Sequence, residues 1–407
     1  MYSIEKIREK FPILKQKVYD KQLVYLDNAA TTQKPAQVVE SIMNYYYTYN
    51  SNINRSINML ATHSTNEVER SRAATQEFIN AKFSEEIIFT SNSTESINLI
   101  ANTYGLQNIY PGDNIVISEA EHHSNLVPWQ TLARKQKANL KYIPVLENGD
   151  LNISELDKII DHKTKIVTIS HVSNAIGNLN PIEKIIKIAQ KYNAKTIIDA
   201  AQSIAYIPID VQALNCDFLI FSSHKMYGPT GVGLLYGKKD LLEQMPPYKT
   251  GGSMVKSVTK DESTYQNPPY KFEAGTPNIA GIIAHRQAIN FIKEIQLNNI
   301  YQHTTQLREY AYNTISKINK VKVINPSSKK TSIISFNVED ANPLDISLLL
   351  DANGIAVRAG THCAQPLMKA LNISEGTVRA SFAIYNQKSE IDHLANTLKE
   401  IISKRYA

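Results

Sequence analysis

The sequence predicts an α/β fold: a mostly parallel sheet covered by helices, followed by a smaller α+β domain. Short apolar strands alternate with helix-length segments through the first two thirds of the chain, and several of those strands end in polar or titratable residues. The last third breaks that alternation. A length of 407 residues with 43% hydrophobic and 20% charged side chains permits a large buried core, which excludes a small disulfide scaffold and a mainly disordered chain.

Taken in order, VYLDNAATTQKPAQVVESIMNYY predicts a strand before Asp27, a small-residue turn over 28–32 and a helix after Pro35. The aromatic run Tyr45 to Tyr47 and the polar stretch to Asn58 read as a loop near a cleft or interface, and a helix is expected over 65–81. EEIIFTSNSTESINLIANTYG reads as a strand, a Ser/Asn turn and a helix starting near Ser93 or Thr94. A strand that ends against a helix N-terminus offers unpaired N–H groups and a favourable dipole to an anion. NIVIS, LKYIPV, KIVTISHVS, KTIIDAAQS and CDFLIFSSHK continue as strands, with helical segments such as PIEKIIKIAQKYNA between them. Groups beyond the carboxyl ends of such strands gather, which brings Thr94, His122, Asn174, Asp199, Gln202 and Lys225 together. GPTGVG is then a turn before a strand, since it has neither GK[ST] nor GxGxxG. A long polar loop over 251–278 precedes a helical stretch expected from Gly281 to Ser316. VKVIN, TSIISFNV, a helix over 343–351, IAVRAG and a helix over 388–402 form the smaller domain. The extreme N-terminal segment is expected to pack on it, giving segments 1–25, 26–290 and 291–407.

Lys and Arg number 44 against 38 Asp and Glu, an excess of six that is dilute over this length and does not establish nucleic-acid binding. No run approaches the apolar length of a membrane span, and the first residues lack the long apolar region of a secretory signal. Two cysteines, Cys216 and Cys363, are too few for a disulfide framework, so a cytoplasmic, reducing setting is expected.

The chemistry concentrates in IIDAAQSIAYIPIDVQALNCDFLIFSSHKMYGPTGVG. Asp199 ends a very apolar strand, where a carboxylate needs a partner such as a protonated heteroaromatic nitrogen. Lys225 lies just past the next strand, and an amine there condenses with an aldehyde once its neighbours favour the neutral form. Taken singly, each is more often a solvated lysine or a strand-end cap; jointly they point to pyridoxal phosphate. His122 and His123 in EHHSN lack the HExxH spacing of a zinc site, and no metal is expected; one of them covering the cofactor ring is the better use. Cys363 sits in the loop VRAGTHCAQP, whereas Cys216 lies in an apolar run and reads as packing.

LDNAATTQKP, TESINLIANTYG, EHHSNLVPWQ, SHVSNAIGN, DAAQS, SSHKMYGPTGVG, FEAGTPN and RAGTHCAQP occur in that order from about Phe11 to the last helix. In them the chain resembles the cysteine desulfurases of the group that includes selenocysteine lyases. The resemblance implies a fold-type I pyridoxal phosphate enzyme with a predominantly parallel seven-stranded central sheet, acting as a homodimer. It further implies conversion of L-cysteine to L-alanine through a persulfide on Cys363, with transfer to a small relay or scaffold protein for iron–sulfur cluster assembly. By matching motifs, Lys225 is the lysine bonded to the cofactor, Asp199 the partner of its ring nitrogen, Gln202 the donor to its phenolic oxygen and His122 the ring cover. Thr94, Ser222 and His224 match phosphate-binding positions, with Thr276 expected from the other subunit. Asn174 and Arg379 match groups that hold cofactor or substrate carboxylate, and a guanidinium is well suited to clamp a carboxylate. Arg358 and His362 are expected beside substrate and sulfur.

NINRSINML departs from the family pattern: Asn54, Ser56 and Asn58 stand where histidine-containing NHRG-like residues are usual, while Arg55 remains. Selenocysteine lyase activity and a catalytically weak sulfur-transfer assembly component are the alternatives. An aminotransferase leaves Cys363 without a role, and no nucleic-acid module or membrane contact is expected.

Overall fold

The computed structural model describes residues 3–54, 57–324 and 331–406. Seven strands form the central sheet: β1 (Ile87–Thr90), β2 (Asn114–Ser118), β3 (Asn139–Ile143), β4 (Thr164–Ser170), β5 (Lys195–Asp199), β6 (Phe218–Ser222) and β7 (Gly233–Gly237). Their spatial order is β1-β7-β6-β5-β4-β2-β3. Every neighbouring pair is parallel except the two made by β7, which runs antiparallel to β6 and β1. The sheet is thus mixed but mostly parallel, as expected. Because β7 alone is reversed, the carboxyl ends of the six others lie at one edge, where its first residue, Gly233, pairs with both Ser222 and Thr90. A Cβ on Gly233 would sit 2.5 Å from the Asn92 backbone, so glycine lets the turn after β1 close over the sheet end.

The strands read as nearly continuous apolar runs because both faces are covered. Phe218 and Ile220 of β6 enter one core, Leu219 and Phe221 the other, the period-two alternation of a strand. Among the helices, in chain order, are α1 (Ile4–Glu9), α2 (Ala36–Asn44), α3 (Met59–Phe78), α4 (Ser93–Ile100), α5 (Val127–Gln136), α6 (Ile182–Lys191), α7 (Ile279–Ile295), α8 (Leu297–Ile315), α9 (Pro343–Asp351) and α10 (Lys388–Arg405). Trp129 and Leu132 of α5 join Ile97 and Ile100 of α4 on one face. On the other, α6 buries Ile182, Ile185, Ile186 and Ala189, the spacing of a single helical stripe.

A second core is built from the carboxyl-terminal third. β8 (Val321–Ile324), β9 (Ile333–Val338), β10 (Arg358–Gly360) and β11 (Thr377–Ser381) pair antiparallel in the order β8-β9-β11-β10. Phe336, Val378, Leu350, Leu394 and Leu398 fill the space between this sheet and α8, α9 and α10. Val24 and Leu26 belong to the same core, and Val24–Tyr25 pairs in parallel with Ile355–Ala356. Arg8 reaches the Tyr385 carbonyl at 2.5 Å and Glu390 at 2.9 Å, while Phe11 packs against Tyr227, Phe291 and Tyr385.

Four expectations are corrected. Tyr45–Tyr49 is a π-helical turn that continues α2 rather than a loop. The helix expected over 65–81 begins six residues earlier, because the Asn58 side chain accepts the Ala61 N–H at 2.9 Å and caps it. The helical stretch over 281–316 is two helices, broken at Gln296, whose φ of 72° no α-helix accommodates. The polar loop over 251–278 contains an antiparallel hairpin, Val255–Val258 with Ser263–Tyr265, that a polar composition does not announce. Among the described residues no helix is long and apolar enough to cross a membrane. Arg55 and Ser56 of the divergent segment lie outside the described residues, whereas Asn54 takes a φ of 73° and donates its N–H to Thr65.

Candidate active site

One cleft lies beyond the carboxyl ends of β4, β5 and β6, where the central sheet meets the smaller one. Its walls include every site residue expected from the sequence except Thr276, which lines a separate depression with Glu95, Lys249 and Asn278.

The floor is supplied by strand ends. Asp199, the last residue of β5, is buried and accepts the Ala201 N–H at 2.9 Å. Burial pushes its carboxyl up, opposed by that hydrogen bond and by the charge of Lys225. Lys225 ends the short 3-10 turn after β6; burial pushes its amine down, with Asp199 opposing and the guanidinium groups of Arg379 and Arg358 reinforcing the effect. A lysine in such surroundings is held toward the neutral, nucleophilic form. Gln202 donates to the Ala29 carbonyl at 2.7 Å, which ties the LDNAATT turn to the same floor. Lys34 adds to that tie by donating to Thr31, Thr32 and the His224 carbonyl, and burial brings its amine down to about 8.

One end of the cleft is a ring of donors. Ser93 opens α4 and gives its N–H to the Ser222 hydroxyl at 2.8 Å, while the two hydroxyls meet at 2.7 Å. Thr94 Oγ1 lies 2.6 Å from Ser124 Oγ, and His224 lines the same end. His122 caps the turn His123–Asn125, its Nδ1 accepting the Ser124 N–H at 3.0 Å. That bond fixes Nδ1 as the unprotonated nitrogen. Burial first, then Lys225, His123 and the two arginines, hold His122 down to about 3, so the ring is neutral.

The other end comes from the smaller sheet. Arg379 on β11 is 1% exposed, donates to the Asn174 carbonyl at 2.8 Å and pairs with Asp27 at 2.9 Å. Asn174 donates in turn to the His362 carbonyl at 2.6 Å. His362 and Cys363 both adopt positive φ, 53° and 56°, a costly backbone for two side-chain-bearing residues in succession. Hydrogen bonds hold them there: His362 Nε2 with Thr377 at 2.8 Å, and the Cys363 carbonyl with the His123 N–H, also 2.8 Å. The Cys363 thiol is partly exposed, with the Arg358 guanidinium 3.8 Å from Sγ. Cys216, by contrast, is buried in the core at 0% exposure and its thiol is pushed up to about 12.

The donor set fits pyridoxal phosphate. It combines an anion-accepting helix terminus with a buried carboxylate near an amine whose charge desolvation disfavours. Arg379 Nε and His362 Nδ1, both on cleft residues, are buried without a hydrogen-bond partner among the described residues. Orphaned buried polar atoms of this kind call for a bound polar group. Among the described residues no His, Cys, Asp or Glu cluster has the makings of a metal site. Sequence reading missed Asp27, Ser93, Ser124 and Ser170 as cleft or supporting residues; the one signal for them was their place in or beside the quoted motifs.

The aminotransferase class-V family model matches residues 24–394. A probable cysteine desulfurase of Halalkalibacterium halodurans is 47% identical over 398 residues, covering 98% of both chains. Among solved structures, the cysteine desulfurase of Thermococcus onnurineus superposes with a TM-score of 0.94 at 37% identity, and the cysteine desulfurase CsdA of Escherichia coli with 0.92 at 35%; each comparison covers 99% of both chains. The chain therefore belongs to the aminotransferase class-V family, among its cysteine desulfurases, and is a pyridoxal phosphate-dependent enzyme of fold type I.

Proposed function

We propose that this chain converts L-cysteine to L-alanine and carries the released sulfur as a persulfide on Cys363. The observation that carries this reading is the meeting of Lys225 and Asp199, on neighbouring strand ends, with the Cys363 loop in one cleft.

Pyridoxal phosphate, when bound, supplies an aldehyde for the amine and a cationic ring that takes up the electron pair freed at the substrate Cα. Asp199 holds the proton on the ring nitrogen, and His122 covers the ring as a neutral imidazole. Thr94, Ser222 and His224 hold the phosphate, joined by Thr276 of the partner subunit. Arg379 orients the substrate carboxylate through its fork of N–H donors, and Asn174 fixes that arginine through its carbonyl. Lys225 Nζ takes the Cα proton and returns one to carbon. Cys363 Sγ attacks the substrate sulfur: an S–S bond forms, the C–S bond breaks with its electron pair left on carbon, and protonation of that carbon leads to alanine. Enzyme thiol and cysteine thus become enzyme persulfide and alanine, with no outside oxidant.

A homodimer is part of the proposal, supported by exposed Tyr46, Tyr47, Ile57 and Met59 at the junction of α2 and α3, and by the placement of Thr276 outside the cleft of its own chain. The partly exposed Cys363 supports hand-over of sulfur to a small relay or scaffold protein for iron–sulfur cluster assembly in the cytoplasm. Incubation of cofactor-loaded protein with L-cysteine tests the reading. Alanine and a Cys363 persulfide are expected; a loaded protein that forms neither overturns it.

A further inference from the structure

The turn that carries His122 is tied to the strand end beside Asp199 by a side chain with no part in the steps above. Glu121 is 1% exposed, and its carboxylate is shared between the two segments it joins. From the end of β2 it accepts the Ser118 hydroxyl at 2.5 Å, and from its own turn the Asn125 side-chain amide at 2.7 Å. From β4 it accepts the Ser170 N–H with both oxygens, at 2.9 and 3.1 Å, and the Ser170 hydroxyl. Ser170 is the register partner of Asp199, and the following N–H, that of His171, donates to the Asp199 carbonyl at 2.8 Å. On the far side of the turn, the His123 N–H holds the Cys363 carbonyl. One carboxylate therefore lies midway along a hydrogen-bonded path from Asp199, past His122, to the sulfur loop.

We propose that Glu121 is a positioning residue, which sets the His122 imidazole and, through His123, the Cys363 loop in register with the Asp199 strand end. The inference rests on the roles given to His122 and Asp199 above. A carboxylate suits the position because every partner but the two hydroxyls is a fixed N–H donor. An amide would turn its own NH2 toward the Ser170 N–H or the Asn125 amide, donor against donor, and leave a buried group unsatisfied. Burial pushes the carboxyl up to about 7, and the hydroxyls of Ser118 and Ser170, which donate or accept, satisfy it with or without its proton.

The test uses purified cofactor-loaded protein bearing Glu121→Gln, with His122→Ala as a reference. It reads the visible circular dichroism of the bound cofactor, the cofactor dissociation constant and the rate at which iodoacetamide alkylates Cys363. Glu121→Gln is expected to weaken cofactor binding about tenfold, to alter the dichroic band in the same sense as His122→Ala, and to change Cys363 alkylation by about threefold or more. A lowered Tm with all three readings unchanged means a structural role alone and overturns the inference, provided His122→Ala does move the band. If His122→Ala leaves the band and the dissociation constant as they were, the reading of His122 fails first and the inference with it. Should Glu121→Gln not fold, Ser118→Ala, which removes one donor that does not line the cleft, decides: a smaller shift in the same sense supports the inference, and no shift overturns it.

Discussion

The floor of the cleft and its sulfur loop solve opposite problems. On the floor, Asp199 is buried at the end of one strand and Lys225 is largely enclosed in the turn after its neighbour, their charges set by desolvation and by each other. In the loop, Cys363 is partly exposed, the backbone is left-handed at two successive residues, and a few hydrogen bonds hold it in place. A group that must hold one geometry through proton transfers benefits from a rigid, dry site. A sulfur that must be reached from outside needs an exposed and releasable one. The two cysteines repeat the lesson, since Cys216 in the core is shielded and Cys363 is not.

Substitutions that break one region and spare the other test this contrast. Lys225→Ala has the largest expected effect: turnover falls by at least about 10³-fold, because both the covalent anchor and the proton carrier are lost. The check is alanine release together with loss of the lysine-linked absorption band. Cys363→Ala leaves the floor whole, so the band and the cofactor affinity should stay within about twofold of the parent while persulfide disappears. A loss of cofactor in that variant would show that the two regions are not separable.

Acidification probes the burial of the cleft and of the core around it. His122, His285 and His362 are held down to about 3, and His171 and His224 to about 4, by burial foremost. Their folded values lie below the ordinary 6.5, so the unfolded chain binds more protons and stability is lost as pH falls through 6.5 toward 4. Glu121 and Asp199 are shifted up and act in the opposite sense over their own range, but the five histidines outnumber them. A Tm series should therefore fall between pH 7 and 4.5, and a flat or rising series would contradict the neutral, desolvated state of these rings. The smallest effect is expected at Asn58→Ala, which removes the cap of α3 at a cost of about 1 kcal/mol. It should lower Tm slightly without changing the cofactor band.

Much of the site was legible because strand ends announce themselves: Asp199 and Ser222 close apolar runs, and Lys225 ends the short turn after one. Supporting partners were not. Asp27 and Arg379 are 352 positions apart, and neither residue type signals the other at that distance. Glu121 reads as one more surface acid beside two histidines until β4 is seen to lie against it. The early start of α3 and the break at Gln296 were hidden for a local reason. A single cap or one left-handed residue overrides a periodic pattern that runs through it.

By itself the sequence determined the alternation of strand and helix, the mostly parallel sheet and the residue types at its carboxyl edge. Apolar period and strand-end chemistry are local properties, carried by neighbouring residues. Tertiary structure alone decided that β7 runs backwards between β1 and β6, that Arg379 is locked by Asp27, and that the Cys363 loop hangs from Asn174 and His123. Each of these depends on hydrogen bonds between distant segments, whose partners exist only once both cores have packed.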